Sequence, residues 1–256
     1  MNTCLSCTRS VLVLFLVASV SGHLAVGASG TSAASALAEL KQAFSQGKSV
    51  TSVELSGNAK WYAGSLEDSG PVTLTAASSG AAQMQLSLSS LGSRTESQTG
   101  LGSAMACSWS GSNGDLHDSN LNNCWKPVIW FLPALSLQLG LMPSSLGIAD
   151  FGTGIVGSGT FHHLQSQLVF GDTPMSITTE AMKASTTDIG LDSISSLPAV
   201  IAYKVQPDTG SQTPIAIQVH YSNYKLVNGV QIPYTIKRFV NGKLQLEISV
   251  NRTQIQ

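Results

Sequence analysis

The sequence predicts a mainly β (α+β) chain: a large, strongly curved antiparallel sheet of short strands, with short helices covering its apolar face. Three observations carry this prediction. From Ser52 onward apolar and polar residues alternate with period two. Two Asn-Gly pairs, 228–229 and 241–242, divide the last alternating stretches as type I′ turns would. One segment, 125–143, is almost uniformly apolar and broken by Pro127, Pro133 and Pro143.

At 256 residues the chain suits one β-rich domain, and 43% hydrophobic content suffices for a core. Charged residues are only 11%, against the usual ~25%. Residues 1–28 have the form of a signal peptide: Arg9 before an apolar run at 11–20, then small residues at Val26-Gly27-Ala28. This divides the chain into a leader at 1–28 and a single domain at 29–256, and places the product in the periplasm or outside the cell. The alternative, an uncleaved anchor, has a run shorter than a comfortable span, interrupted at Ser21, Gly22 and His23. Loss of Arg9 leaves 12 of the 13 basic residues against 14 acidic ones. No basic face is visible to meet phosphates, so nucleic acid is excluded as a partner. Cys4 and Cys7 would leave with the leader. Cys107 and Cys124 remain, and in an oxidising compartment they are expected to pair; the alternative is two buried thiols.

After a small, polar lead-in at 29–36, Leu37, Leu40 and Phe44 mark a short amphipathic helix that Gly47 stops. Val53, Leu55, Ala59 and Trp61 then alternate, followed by Val72, Leu74 and Ala76, and by Met84, Leu86 and Leu88. Breaks are expected at 63–64, 69–71 and 78–80. Pro133 breaks any helix through 125–143, leaving one or two short apolar helices, buried or acting as a lid. Strand patterning returns at 162–170, a small helical turn is expected at 180–184, and 199–250 reads as a four-strand meander. Lys237-Arg238-Phe239 slips its phase once, as a bulge would. About ten strands result.

No catalytic set emerges. GTGIVG (152–157) matches a dinucleotide fingerprint in letters, but an alternating strand follows it where a helix should; a glycine-bearing strand bend accounts for it better. Adjacent His162 and His163 point to opposite faces of a strand and cannot share a metal. No G-x-S-x-G occurs, and the S-x-x-K matches at 45–48 and 222–225 are what a Ser-rich chain yields by chance. The Glu67-Asp68 pair is expected in a solvated turn. No cofactor is called for. The tryptophans Trp61, Trp109, Trp125 and Trp130, with Phe131, Leu132, Leu135 and Leu139, either pack a core or line a lid over an apolar groove.

The C-terminal residues resemble the LolA-like outer-membrane lipoprotein-sorting proteins. The matching elements are Leu191-Asp192, Leu197-Pro198, Asn228-Gly229-Val230, Pro233-Tyr234-Thr235-Ile236 and the Leu244 to Ile248 strand, over 186–255. The resemblance implies an unclosed antiparallel β-barrel with helices plugging its concave side. In that family the apolar cavity shelters lipid or the acyl chains of lipoproteins.

The leading expectation is therefore an exported, non-enzymatic lipid- or lipoprotein-binding protein with an apolar groove, and possible partners among envelope proteins. Its ligand-binding residues would be Trp61, Trp125, Trp130, Phe131, Leu135 and Tyr234. The competing readings are a structural envelope-assembly β-protein with a filled core and, last, a secreted hydrolase. After loss of the leader no stable membrane span is expected.

Overall fold

The computed structural model describes residues 32–100, 106–119, 121–126, 128–138, 146–168, 175–207 and 213–256. The expected leader, Cys4, Cys7, Pro127, Leu139 and Pro143 lie outside them. Thirteen strands make one antiparallel sheet: β1 (Ser52–Ala63), β2 (Leu66–Ala77), β3 (Ala81–Leu88), β4 (Gly92–Thr99), β5 (Cys107–Ser110), β6 (Leu116–Asp118), β7 (Leu146–Val156), β8 (Gly159–Leu168), β9 (Thr187–Leu191), β10 (Pro198–Val205), β11 (Ile215–Val227), β12 (Val230–Val240) and β13 (Lys243–Ile255). Four helices accompany it: α1 (Ala33–Ser45), α2 (Leu121–Cys124), α3 (Pro133–Leu137) and α4 (Met175–Ser185).

Strands β1 to β6 pair in chain order toward one edge, and β7 to β13 pair in chain order back from the other; β1 and β13 join the halves. The chain between β6 and β7 must therefore travel from one sheet edge to the opposite one. Residues 128–138 make that crossing as part of the core, with Ile129, Phe131, Leu132 and Leu135 buried against the inward faces of the strands. The greasy segment is thus a topological necessity: it crosses an apolar face and has to be apolar itself. Pro133 occupies the first turn of α3, where its missing N–H costs nothing, so it starts the helix.

The sheet rolls up without closing. Flat, β4 and β12 would stand about 24 Å apart, five steps of ~4.8 Å. In the structure Glu96 of β4 and Arg238 of β12 touch at 2.8 Å across the concavity. One inward row runs Trp61, Leu246, Arg238, Val219, Ile201, Ile189 and Leu164 through successive registers from β1 to β8. In α1 the Ser32 side chain accepts from the Ser35 N–H, while Leu37, Leu40 and Phe44 turn into the concavity. Burying each of these side chains contributes about 2 kcal/mol. The helix ends as left-handed backbone at Gln46, φ 53°, one residue ahead of Gly47.

Several expectations change. The described residues form thirteen strands, because β4, β5 and β6 lack alternating apolar residues and carry no hydrophobic period to read. Residues 69–71 do not break a strand but lie inside β2; a Cβ on Gly70 would come within 1.7 Å of the Ser87 carbonyl oxygen, so this glycine admits a close backbone approach. The helical turn at 180–184 is the end of the longer α4. Glu67 and Asp68 open β2: Glu67 pairs with Lys60 at 3.0 Å, and Asp68 accepts the Ser90 and Leu91 N–H groups. The Ser90 N–H above all holds the Asp68 carboxyl below its usual range. Other expectations hold. Asn228, Gly229, Asn241 and Gly242 all have positive φ, and the register slips between Arg238 and Phe239. The 152–157 glycines serve a bend, with a register shift between Asp150 and Thr153 and Gly152 at φ 66°.

Cys107 and Cys124 are joined, with Cα atoms 5.4 Å apart, tying β5 to the end of α2. A bridge across 17 residues restricts the unfolded chain by about 3 kcal/mol. The denatured, unreduced protein should therefore show no titratable thiol from this pair. Reduction should lower the denaturant midpoint, whereas two free thiols per chain would disprove the bridge.

Candidate functional site

The inward side chains of β4 break the apolar pattern. Register places Arg94 opposite Leu86, Glu96 opposite Met84 and Gln98 opposite Ala82, so all three share the concave face with apolar neighbours, Leu86 and Met84 buried and Ala82 partly so. Both faces of this strand are polar, which is why alternation of hydrophobicity could not find it. On the opposite wall the bulge at 238–239 turns Arg238 inward, where it is 7% exposed. The phase slip was visible in the sequence, but not its consequence.

Between these walls, roofed by Lys126 and residues 128–131, lies a cleft of about 630 Å³. Its walls are mostly apolar: Met84, Val128, Ile129, Phe131, Ile215, Ile217 and Val240, with Trp61, Trp109, Trp130 and Tyr203. The Arg238 guanidinium organises the deeper part. It donates to Glu96 Oε2 at 2.8 Å and to Gln245 Oε1 at 3.1 Å, and stacks 4.7 Å from the Trp130 ring centre and 5.8 Å from that of Trp61. Burial works against its charge, and the adjacent Glu96 carboxylate more than offsets this, holding Arg238 above its ordinary pKa. Arg94 covers the Trp61 ring at 4.7 Å. The Tyr221 hydroxyl donates to the Trp130 carbonyl, fastening the roof to β11. The Lys126 ammonium donates to the Ala184 carbonyl of α4, and burial pulls its pKa down to about 8.

Of the predicted ligand-binding residues, the structure brings Trp61, Trp130 and Phe131 together on the cleft. Leu135, fully buried, belongs to the plug formed by α1 and α3. Tyr234 sits beneath the Lys225 ammonium at 4.0 Å, and Trp125 is half-buried; neither lines the cleft. Arg94, Glu96 and Arg238 are the residues that sequence reasoning missed. His162 and His163 bond separate carboxylates, Asp150 at 2.8 Å and Asp188 at 2.9 Å. Among the described residues no three His, Cys, Asp or Glu side chains gather as a metal site. Nor is any described helix long and apolar enough to cross a membrane.

Two outcomes follow from these charges. Glu96→Ala leaves the Arg238 cation without its counter-charge and should destabilise the protein by about 2 kcal/mol in urea titration, less than a fully enclosed pair because Glu96 is one-third exposed. Arg238→Met should cost less, since Glu96 can then turn to water. The second outcome concerns pH. The folded state depresses the Lys126 pKa, so the unfolded chain binds more protons and stability should rise as pH goes from about 8 toward 10. Above pH 10 buried Tyr203, Tyr221 and Tyr224, all raised by burial, resist ionisation in the fold and stability should fall. Lys126→Met should abolish the rise and add on the order of 2 kcal/mol at pH 7, read from denaturation midpoints across pH.

No protein-family model matches the chain, and no curated protein does. Solved structures share its shape. A LolA superfamily protein from Nitrosomonas europaea superposes with a TM-score of 0.50 at 8% identity, over 88% of this chain and 94% of the other. A Vibrio parahaemolyticus domain described as outer membrane lipoprotein-sorting gives 0.49 at 9% identity, over 88% and 92%. A DUF1329 family protein from Desulfovibrio piger ATCC 29098 gives 0.49 at 8%, over 87% and 91%. At such identities the likeness is one of fold. The likeness in fold to the LolA superfamily protein covers 88% of this chain, whose own fold is an open antiparallel sheet rolled around short helices.

Proposed function

We propose that this chain is an exported, non-enzymatic carrier-like protein that holds a lipid or acyl chain in the cleft beneath Lys126 and residues 128–131. The observation that carries this reading is incomplete filling of the concavity. Helices α1 and α3 plug one part, and beside them a cleft of about 630 Å³ remains. That is within the roughly 300–1,000 Å³ common among small-molecule sites. A structural β-protein with a filled core would have no use for such a space. The aromatic rings of Trp61, Trp130 and Phe131 along it offer apolar surface at little entropic cost. Delivery to an envelope partner is the role that the LolA-like resemblance implies. Export rests on the leader reading of residues 1–28.

Trp130 is the informative position, being half-buried at the cleft, whereas Phe131 is 1% exposed and its truncation would cost about 3–5 kcal/mol of stability. Trp130→Ala should weaken binding of a fluorescent fatty-acid probe about tenfold, with the far-UV circular dichroism unchanged. Mass spectrometry of the gently purified protein should find co-purifying lipid. An absence of probe uptake and of lipid in the wild-type protein would defeat the proposal.

A further inference from the structure

We infer that the cleft selects an amphiphile with an anionic head and that Arg94 receives that head; the inference rests on the apolar-ligand reading above. The cleft lining contains three cations, Arg94, Lys126 and Arg238, against one acid, Glu96, although the whole chain is near neutral at −1. The excess positive charge is therefore local. Two of the cations are engaged by the protein: Arg238 by Glu96 and Gln245, and Lys126 by the Ala184 carbonyl. Arg94 differs. It lies over the Trp61 ring, its Nε is enclosed without a hydrogen-bond partner, and no carboxylate pairs with it among the described residues.

A guanidinium nitrogen enclosed without a partner is costly to a fold, and an arriving anion offsets that cost. Guanidinium presents a planar fork of donors that matches a carboxylate or phosphate in two-point contact. Trp61 holds the plane of the fork from one side, so the group is oriented before any ligand arrives. The apolar wall of Val128, Phe131, Ile217 and Val240 lies along the same cleft and would take the tail. Neither a neutral lipid nor a bare ion uses both features. A single-chain amphiphile with a carboxylate or phosphate head uses both.

The test is calorimetric titration of the folded chain with laurate, methyl laurate, dodecyl phosphate and inorganic phosphate, repeated with Arg94→Gln and Arg94→Lys. Wild-type protein should bind laurate about tenfold or more tightly than methyl laurate, in line with one charge-assisted contact. Arg94→Gln should reduce that preference to under about twofold while leaving methyl laurate affinity unchanged and the melting temperature no lower, and Arg94→Lys should restore part of it. Dodecyl phosphate should bind far more tightly than inorganic phosphate. Equal binding of laurate and its methyl ester, or a preference that survives in Arg94→Gln, overturns the role of Arg94 while leaving the apolar-ligand reading intact. Inorganic phosphate binding as tightly as dodecyl phosphate would mean a free-anion site and overturns the amphiphile. Binding of none of the four compounds sinks both.

Discussion

The ladder between β1 and β13 is the constraint on which the rest of the molecule depends. It joins two meanders that are otherwise sequential, and it places their junction in the middle of the sheet. From that placement follow the two distant free edges, at β6 and β7. From the edges follows the need for a connection across the concave face, and from the connection follows its composition. A segment held against Leu164, Ile201 and Ile236 cannot carry ordinary loop polarity without leaving buried groups unsatisfied. Its polar groups are met in part: the Ser136 hydroxyl accepts the Ile129 N–H and the Gln138 amide donates to the Val50 carbonyl, while the Gln138 Oε1 is enclosed without a hydrogen-bond partner.

Curvature then creates a second problem, that of charges on an inward face. Arg238 is tolerable only because the sheet rolls far enough to bring Glu96 to it from the opposite wall. The same roll brings Arg94 inward without a counterpart. Replacing all of these by apolar residues would be expected to give a more stable barrel, since buried ion pairs seldom repay their desolvation in full. Three cations at one cleft carry a desolvation cost that apolar residues there would not.

Much of the architecture was legible because the residues that encode it act locally. The Asn-Gly turns, the α1 periodicity, the slip at 237–239 and the glycine bend at 152–157 each depend on a few neighbouring residues. Strand β4 was not legible, since a strand polar on both faces has no period of hydrophobicity to find. The cleft was partly legible. Trp61, Trp130 and Phe131 stood out as large apolar groups, but Leu135 did so equally, and only the three-dimensional packing separates a plug residue from a wall residue. The pairing of Glu96 with Arg238, 142 residues apart, could not be seen locally at all. It exists only once the sheet has curled.

The central ladder also dictates an order of events. Ser52 bonds to a residue 204 positions away, so the sheet's midline is its most non-local contact. Closing so long a loop comes late and slowly, because its entropy is lost before the ladder returns any stabilisation. Until β13 arrives, β1 presents an open edge along Val53 to Trp61, its other edge being paired with β2. A nascent chain thus passes through a stage in which its eventual centre is an open sheet edge. Such an edge is a template for foreign strands. Productive folding is then a race between capture of β1 by its own distant partner and capture by another molecule, and assistance during biogenesis would act by shielding that edge.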